Sequence, residues 1–391
     1  MTPLRLLVAV AVLVAAGAVA AFAVSHRSRT AAPSPGVTTT TRTSGASSTS
    51  TSTSLLPSKT PLRVTAVSPA PGASRVDGLS DVRVSFSVAI APGSPPPSFS
   101  PPLPGTWSRA AANTLVFSPA VAYLPLSSIK LVVPAGPHGV RGADGSALSR
   151  PVVDGFRIAD GSTTRLVQLL ALLDYSPVSF TAAGSSVASS DETAQRAALF
   201  HPPAGVFRWR DRGWPKQLTE LWNAHSYGVF TKGLVMEFEA DHGLPTKGTT
   251  STALWQSLLE ALAAGQHNTG GYDYALGNQG QPESLTIWHD GKIAVHVPAN
   301  TGIAQAPTAD GNFPVFARFR RQIMRGANPD GSKYADPVQY VAYFNGGDAV
   351  HYFPRASYGI PQSLGCIELG LSDAAKAWPY LAYGTLVTVI N

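Results

Sequence analysis

The sequence predicts a multidomain chain. It reads as an N-terminal membrane helix or signal, an all-β sandwich, a small α-helical domain and a mostly β C-terminal domain. Three observations carry this reading. An apolar run at Leu6–Val24 leads into a tract of Ser, Thr and Pro. Hydrophobic periodicity then passes from alternation to helical spacing and back to alternation. Gly and Pro clusters punctuate the two alternating regions.

The apolar run has Arg5 before it and His26, Arg27 and Arg29 behind it. It is long for a signal-peptide core and just long enough to span a bilayer as a helix. Ala18-Val19-Ala20 and Ala21-Phe22-Ala23 each fit a small-x-small cleavage signal. Residues 1–29 therefore read as a signal anchor or a signal peptide. If uncleaved, residues 6–24 contact the inner membrane. Basic residues on both sides leave orientation open. Residues 30–60 are mostly Ser, Thr, Pro, Gly and Ala, too polar to repay the entropy of ordering, and read as a disordered linker. Export followed by a tether predicts an extracytoplasmic protein, anchored or secreted.

The net charge of +6 suits contact with an anionic surface, but the basic residues are scattered. One modest cluster stands at Arg318, Arg320, Arg321 and Arg325, without a nucleic-acid-binding signature. No P-loop, dinucleotide fingerprint or His/Cys metal spacing occurs, so neither cofactor nor metal is expected. With 1 cysteine in 391 residues no intramolecular disulfide can form, and packing alone must hold the domains.

Residues 61–160 contain "LRVTAVSP", "DVRVSFS", "TLVFSP" and "SIKLVVP", short β-branched runs separated by turn residues. "SPAPGASRVDGLSDVRVSFSVAI" with "LPGTWS" resembles bacterial Ig-like domains of cell-wall proteins. No titratable cluster stands out, so the domain reads as a spacer, with weak glycan binding as the alternative.

Residues 161–266 change period. "RLVQLLALLDY" is helical, and so is "GLVMEFEADHGLPTKGTTSTALWQSLLEALAAG" on either side of a turn. His242-Gly243 ends the first of these two helices, with Gly243 as a left-handed cap, and Thr250 or Ser251 caps the next. The elements Phe238 to Leu244 and Thr252 to Leu258 resemble the small helical peptidoglycan-binding domain. The intervening "SVASSDETAQRAALFHPPAGVFRWRDRGWPKQLTELW" departs from its usual compact form. A structural linker is the alternative.

Residues 267–391 return to β. "LTIWHDGKIAVHV" reads as a hairpin turning at Asp290-Gly291, and "VQYVAYFNGGDAVHYF" as another around Asn345–Asp348. "SDAAKAW" gives a short helix with Ser372 as N-cap, and "GTLVTVI" a terminal strand.

Cys366, the lone cysteine, follows Gly365 in a loop after the strand "AVHYF". A thiol becomes a nucleophile through a base, and His351 in that strand is the best placed. Gly365 lets the backbone approach a substrate closely, so that neighbouring amides can donate to an oxyanion. A buried, inert thiol is the alternative.

The last 120 or so residues resemble the L,D-transpeptidase catalytic domain of bacterial cell walls. The shared positions are His351, Ser363, Gly365, Cys366, Ile367, Asp373-Ala374 and Gly384-Thr385, with "APTADGNFPVF" upstream. Leu364 stands where that family has histidine, and Glu368 where it has Asn or Arg. The resemblance implies a mostly β catalytic domain and a cell-wall enzyme acting on peptidoglycan. Cys366 would be the nucleophile, His351 the base, and the Gly365 and Cys366 amides the oxyanion donors. A thioester acyl-enzyme would be resolved into a 3→3 cross-link, and a carbapenem would acylate Cys366. Ser363, Ser357, Tyr358, Arg355 and Tyr343 are candidate substrate contacts. Loop shaping is the alternative for Ser357 and Tyr358, solvation for Arg355 and packing for Tyr343. A thiol reactive at pH 7 is expected if it pairs with His351. The rival functions are a non-catalytic wall-binding protein with a degenerate enzyme domain, and an L,D-carboxypeptidase trimming stem peptides.

Overall fold

Seven short strands come first among residues 60–391, which the computed structural model describes. The apolar run and the linker expected before them lie outside the described residues. Among those described, no helix is long and apolar enough to cross a membrane. The strands are β1 (Val64–Ser68), β2 (Val82–Phe86), β3 (Ser98–Ser100), β4 (Gly105–Ala111), β5 (Thr114–Pro119), β6 (Ser128–Val133) and β7 (Val152–Arg157). They form two antiparallel sheets, ordered β1-β2-β5-β4 and β3-β6-β7. Alternation puts Val82, Val84 and Phe86 of β2 inward, against Phe99, Phe117, Leu131 and Phe156. This is the packing of a β-sandwich.

Helix α1 (Thr163–Leu172) begins at Ser162, whose hydroxyl accepts from the Arg165 amide. An insertion follows: β8 (Val178–Ala182), α2 (Glu192–Ala198), β9 (Gly205–Trp209) and the single turn α3 (Lys216–Thr219). β8 and β9 pair as an antiparallel ribbon. Arg165 is 1% exposed and explains how the insertion is held. Its guanidinium donates to Gln168 Oε1 of α1 and to Gln195 Oε1 of α2. No carboxylate joins them, and burial pulls the guanidinium down to about 10. Helices α4 (Val229–Asp241) and α5 (Thr252–Ala263) complete the region. Gly243 takes φ +66 just past the end of α4, and Ser251 Oγ caps α5 by accepting from Leu254 N at 3.1 Å.

These helices do not close a core of their own. Leu166, Leu169, Phe230, Leu234, Phe238, Leu254, Trp255 and Leu258 pack in one cluster with Tyr272, Tyr274 and Leu386 of the C-terminal region. Gly233 of α4 lies so near Gly384 that a Cβ there would sit 2.6 Å from the Gly384 carbonyl oxygen. The helices are thus seated backbone to backbone on the sheet that follows. Trp255 is fully buried, and its Nε1 donates to Asp160 Oδ1 at 3.0 Å, beside the exit from the sandwich. Trp255→Ala should cost about 3–5 kcal/mol in urea unfolding, the range for emptying a large aromatic site. A loss under about 1 kcal/mol would mean that Trp255 does not hold the helices in place.

The C-terminal region contains β10 (Asp273–Asn278), β11 (Ser284–His289), β12 (Lys292–Pro298), β13 (Gly311–Pro314), β14 (Ala317–Ala327), β15 (Lys333–Asn345), β16 (Asp348–Tyr352), β17 (Ile367–Leu369), α6 (Leu371–Ala377) and β18 (Leu386–Ile390). One sheet runs β12-β11-β10-β18-β13 and the other β14-β15-β16-β17. The β10–β18 and β16–β17 pairs are parallel, and the remainder antiparallel. Ile287, Val295, Phe344, Val350, Ile367, Leu369, Leu381 and Val387 fill the space between the sheets. The turn at Asp290-Gly291 has φ +46 and +72, the two positive values a tight hairpin turn demands.

Two features differ from expectation. Helix α6 is capped by Gly370, in extended conformation at φ −62 and ψ 154, and Ser372 falls inside its first turn. Strand β14, and so its long hairpin with β15, was not read from the sequence, because β14 carries four arginines and few β-branched residues.

Candidate active site

Strands β16 and β17 pair in parallel with Val350 opposite Ile367 and His351 opposite Glu368. Side chains alternate across a sheet. Val350, Ile367 and Leu369 therefore enter the core between the sheets. Ala349, Phe353 and Cys366 fall on the other face with Val338, Val341, Met324 and Tyr343. The same parity puts His351 and Glu368 there too. A bulge in β15 at Tyr340, with φ +57, shifts the register against β16. Such a bulge re-aims what lies beyond it, and Met324, Tyr334, Asp336 and Val338 of the hairpin's distal half form one wall of a cavity. The cavity measures about 330 Å³, and Cys366, His351, Glu368, Arg355, Asp348 and Leu364 complete it.

Cys366 is 8% exposed. Its Sγ lies 3.9 Å from Met324 Sδ and 3.8 Å from Gly347 O. Burial pushes the thiol up to about 12, Asp348 and Glu368 add to the rise, and the Ala349 amide opposes it. The resting group is thus a thiol. His351 is 2% exposed, and burial lowers its imidazole below the ordinary value, so it is neutral at pH 7. Its Nδ1 lies 2.9 Å from the Tyr352 carbonyl oxygen. A carbonyl only accepts, so Nδ1 carries the proton and Nε2 the free lone pair. Thiol and imidazole line the same cavity with no direct hydrogen bond between them.

Gly365 has φ +113, and a Cβ there would come within 2.4 Å of Asp348 Oδ1. Both conformation and space require glycine. Ser363 is fully buried and does not line the cavity. Its hydroxyl donates to Cys366 O at 2.5 Å and accepts from Gly365 N at 3.3 Å, so it closes the turn that presents the cysteine. Tyr358 also stands outside the cavity lining. Its hydroxyl donates to Phe353 O at 2.7 Å and accepts from Arg355 N at 3.3 Å. Ser357 is exposed and works through its carbonyl, which accepts from Asn300 Nδ2 at 3.1 Å. Tyr343 packs against the Cys366 cluster and against Phe316 and Phe319.

Arg355 does reach the cavity, but its guanidinium is engaged. Nε meets Glu368 Oε2 at 2.7 Å, and one terminal nitrogen meets Glu368 Oε1 at 2.9 Å and Gln362 O at 2.8 Å. The guanidinium also lies 4.7 Å above the Phe353 ring centre. Glu368 is 5% exposed, and Arg355 is its ion-pair partner. Removing one member of such a pair strands the other. Arg355→Ala should lower stability by about 3 kcal/mol, and adding Glu368→Gln should restore much of it. Denaturant unfolding of the three variants checks this; a double mutant as weak as Arg355→Ala alone rules the pairing out.

Sequence reasoning missed the scaffold beneath the loop. Asn300 is fully buried. Its Oδ1 accepts from Gly359 N at 2.9 Å, and its backbone exchanges two bonds with Glu368. Glu283 takes both the Thr301 amide and the Thr301 hydroxyl, at 2.6 and 2.8 Å. Only the run of small polar residues in "PANTG" hinted at this. Among the described residues no group of three or more His, Cys, Asp or Glu could hold a metal ion.

Comparison with known proteins matches two parts of the chain. Residues 274–389 match the model of the L,D-transpeptidase catalytic domain, and residues 58–157 that of a bacterial Ig-like domain. Neither match includes residues 158–273, where most of the helices lie. No curated protein matches. Among solved structures, an L,D-transpeptidase from Mycobacterium smegmatis is 14% identical, over 85% of this chain and 100% of that one, with a TM-score of 0.29. L,D-transpeptidase 3 from Mycobacterium tuberculosis, in complex with a faropenem-derived adduct, is 15% identical over 84% and 98%, with a TM-score of 0.28. The catalytic domain of the E. faecium L,D-transpeptidase is 26% identical over 30% and 95%, with a TM-score of 0.28. The chain thus carries an L,D-transpeptidase catalytic domain behind a bacterial Ig-like domain.

Proposed function

We propose that this protein is an extracytoplasmic cell-wall enzyme that joins peptidoglycan stems through 3→3 cross-links by way of a thioester on Cys366. The observation that carries the reading is the shared cavity of a buried thiol and a neutral imidazole whose Nδ1 is fixed by a backbone carbonyl. His351 Nε2 takes the thiol proton as sulfur attacks the carbonyl between the third residue of a tetrapeptide stem and its terminal D-alanine. The Cys366 amide donates to the oxyanion that forms, and the Gly365 amide joins it only by leaving Ser363 Oγ, which it meets at 3.3 Å in the resting site. The C–N bond breaks, the imidazolium returns its proton to the departing amine, and a thioester remains. The side-chain amine of a second stem attacks that carbonyl and gives a proton to His351. The C–S bond breaks, and the proton restores the thiol. The helical region, sharing its core with the catalytic sheet, would hold the enzyme on the glycan. Carbapenems would acylate the same sulfur.

Incubation with a purified disaccharide-tetrapeptide, followed by mass spectrometry, tests the reading. The expected product is a dimer lacking one D-alanine. Tripeptide monomer alone would make the protein a carboxypeptidase, and unchanged substrate would leave a wall-binding protein.

A further inference from the structure

The cavity's charges are unequal. Arg355 is its one permanent cation, and it is spent on Glu368 and the Gln362 carbonyl. His351 is neutral. Two carboxylates remain without a cation in bonding contact. Asp348 stands at the end of the β15–β16 turn, half-buried. Its Oδ2 accepts from Asn345 Nδ2 at 3.1 Å, and its Oδ1 has no donor. That oxygen occupies the space left open by the missing side chain of Gly365, next to the nucleophile. Asp336, on the hairpin wall, accepts no hydrogen bond and lines the same cavity. His351 Nε2, on a ring 2% exposed, is also without a partner, so the cavity is built to receive a polar group.

We propose that Asp348 is a specificity-determining residue that receives the ammonium group of a diamino-acid side chain, with Asp336 extending the same negative field across the cavity. The identity of the amine as part of a peptide stem rests on the acyl-transfer reading; the preference for a cation does not. Two charges at contact distance in a partly dry cleft interact far more strongly than in water. An alkylammonium at Asp348 would supply the donor that Oδ1 lacks. It would also offset the negative charge beside the sulfur, which is one of the causes that keep the thiol protonated. Substrates bearing that amine would then be both held and assisted in acylation, and a neutral analogue would lose both effects.

The first measurement needs no catalysis. Methanethiosulfonates carrying 2-aminoethyl, methyl or 2-sulfonatoethyl groups modify a thiol with one chemistry and three charges. Rates at Cys366 are divided by those for free β-mercaptoethanol. The parent protein should prefer the cationic over the anionic reagent by at least about tenfold, the equivalent of roughly 1.4 kcal/mol of field. Asp348→Asn, which keeps an oxygen for Asn345, should remove most of that preference, and Asp336→Asn a smaller part. A cation preference absent in the parent, or unchanged in Asp348→Asn, overturns the proposal. The second measurement compares tetrapeptide stems with a free or an acetylated side-chain amine. If Asp348→Asn slows acylation by the free-amine donor alone, the site serves the donor. If it slows only transfer to the amine acceptor, the site serves the acceptor. Equal slowing for free and acetylated peptides overturns ammonium recognition. Failure of every peptide to acylate Cys366, with the reagent preference intact, would refute the transpeptidase reading and leave the cation site standing.

Discussion

Replacing Cys366 with alanine should abolish acylation by a carbapenem and remove cross-linked product altogether, a loss of at least about 10³-fold. The expectation follows from chemistry that no other described residue supplies. The chain has a single cysteine, so no second thiol can substitute. Ser363 is the nearest hydroxyl in sequence, but it is fully buried and tied to Cys366 O and Gly365 N. A binding-only role for the cavity would survive the substitution. The sulfur packs with Val338, Val341 and Ala349, and alanine leaves only a small void, so the variant should fold. Intact-protein mass after incubation gives the readout. An adduct of equal yield on the variant would place the nucleophile elsewhere and remove Cys366 from the mechanism.

The residues proposed to carry the chemistry were legible because few others could. One cysteine, after a glycine and downstream of a strand histidine, could be read without coordinates. The face on which they meet was legible as well, since alternation along "AVHYF" and "CIEL" fixes the parity once the two strands pair. What the strings did not disclose is burial. His351 reads as a strand residue and Cys366 as a loop residue with burial as the alternative, and both lie more than nine-tenths out of solvent. Strand β14, half of the wall over them, was missed because Arg318, Arg320, Arg321 and Arg325 disguise a strand as a basic cluster. Arg318 and Arg320 lay their guanidiniums 4.2 and 4.6 Å from the ring centres of Trp378 and Tyr340, so half of the cluster packs on aromatic faces. Arg355 and Glu368, weighed separately in sequence, are one unit in space. Glu368 departs from the family's Asn or Arg, and the loop supplies the compensating cation. Leu364, where the family has histidine, puts an apolar side chain on the cavity wall, so its position offers no second base.

His351→Ala should lower the rate of Cys366 acylation by about 10²–10⁴-fold, the span for removing a positioned general base. The pH dependence separates this role from a structural one. The buried imidazole titrates below its ordinary value of about 6.5, and the buried thiol at about 12. Between these limits the resting pair is neutral, imidazole beside thiol. Acylation by substrate should therefore rise with pH on the acid side, as His351 loses its proton, and then stay level through pH 7–9. Simple alkylation by iodoacetamide has no such partner requirement. It should keep climbing towards alkaline pH, because it waits for thiolate. A plateau of alkylation reached by pH 7 would reveal a standing thiolate–imidazolium pair and contradict the neutral one. The same shift makes a claim about stability. A histidine whose folded pKa is depressed stabilises the fold above the unfolded value of about 6.5, and that contribution is lost as pH falls below it. Acidification from pH 7 to pH 5 should thus lower the melting temperature of the parent more than that of His351→Gln, whose side chain takes up no proton. If both proteins lose stability equally, burial of His351 costs nothing in its charged form, and the neutral resting pair has no physical basis.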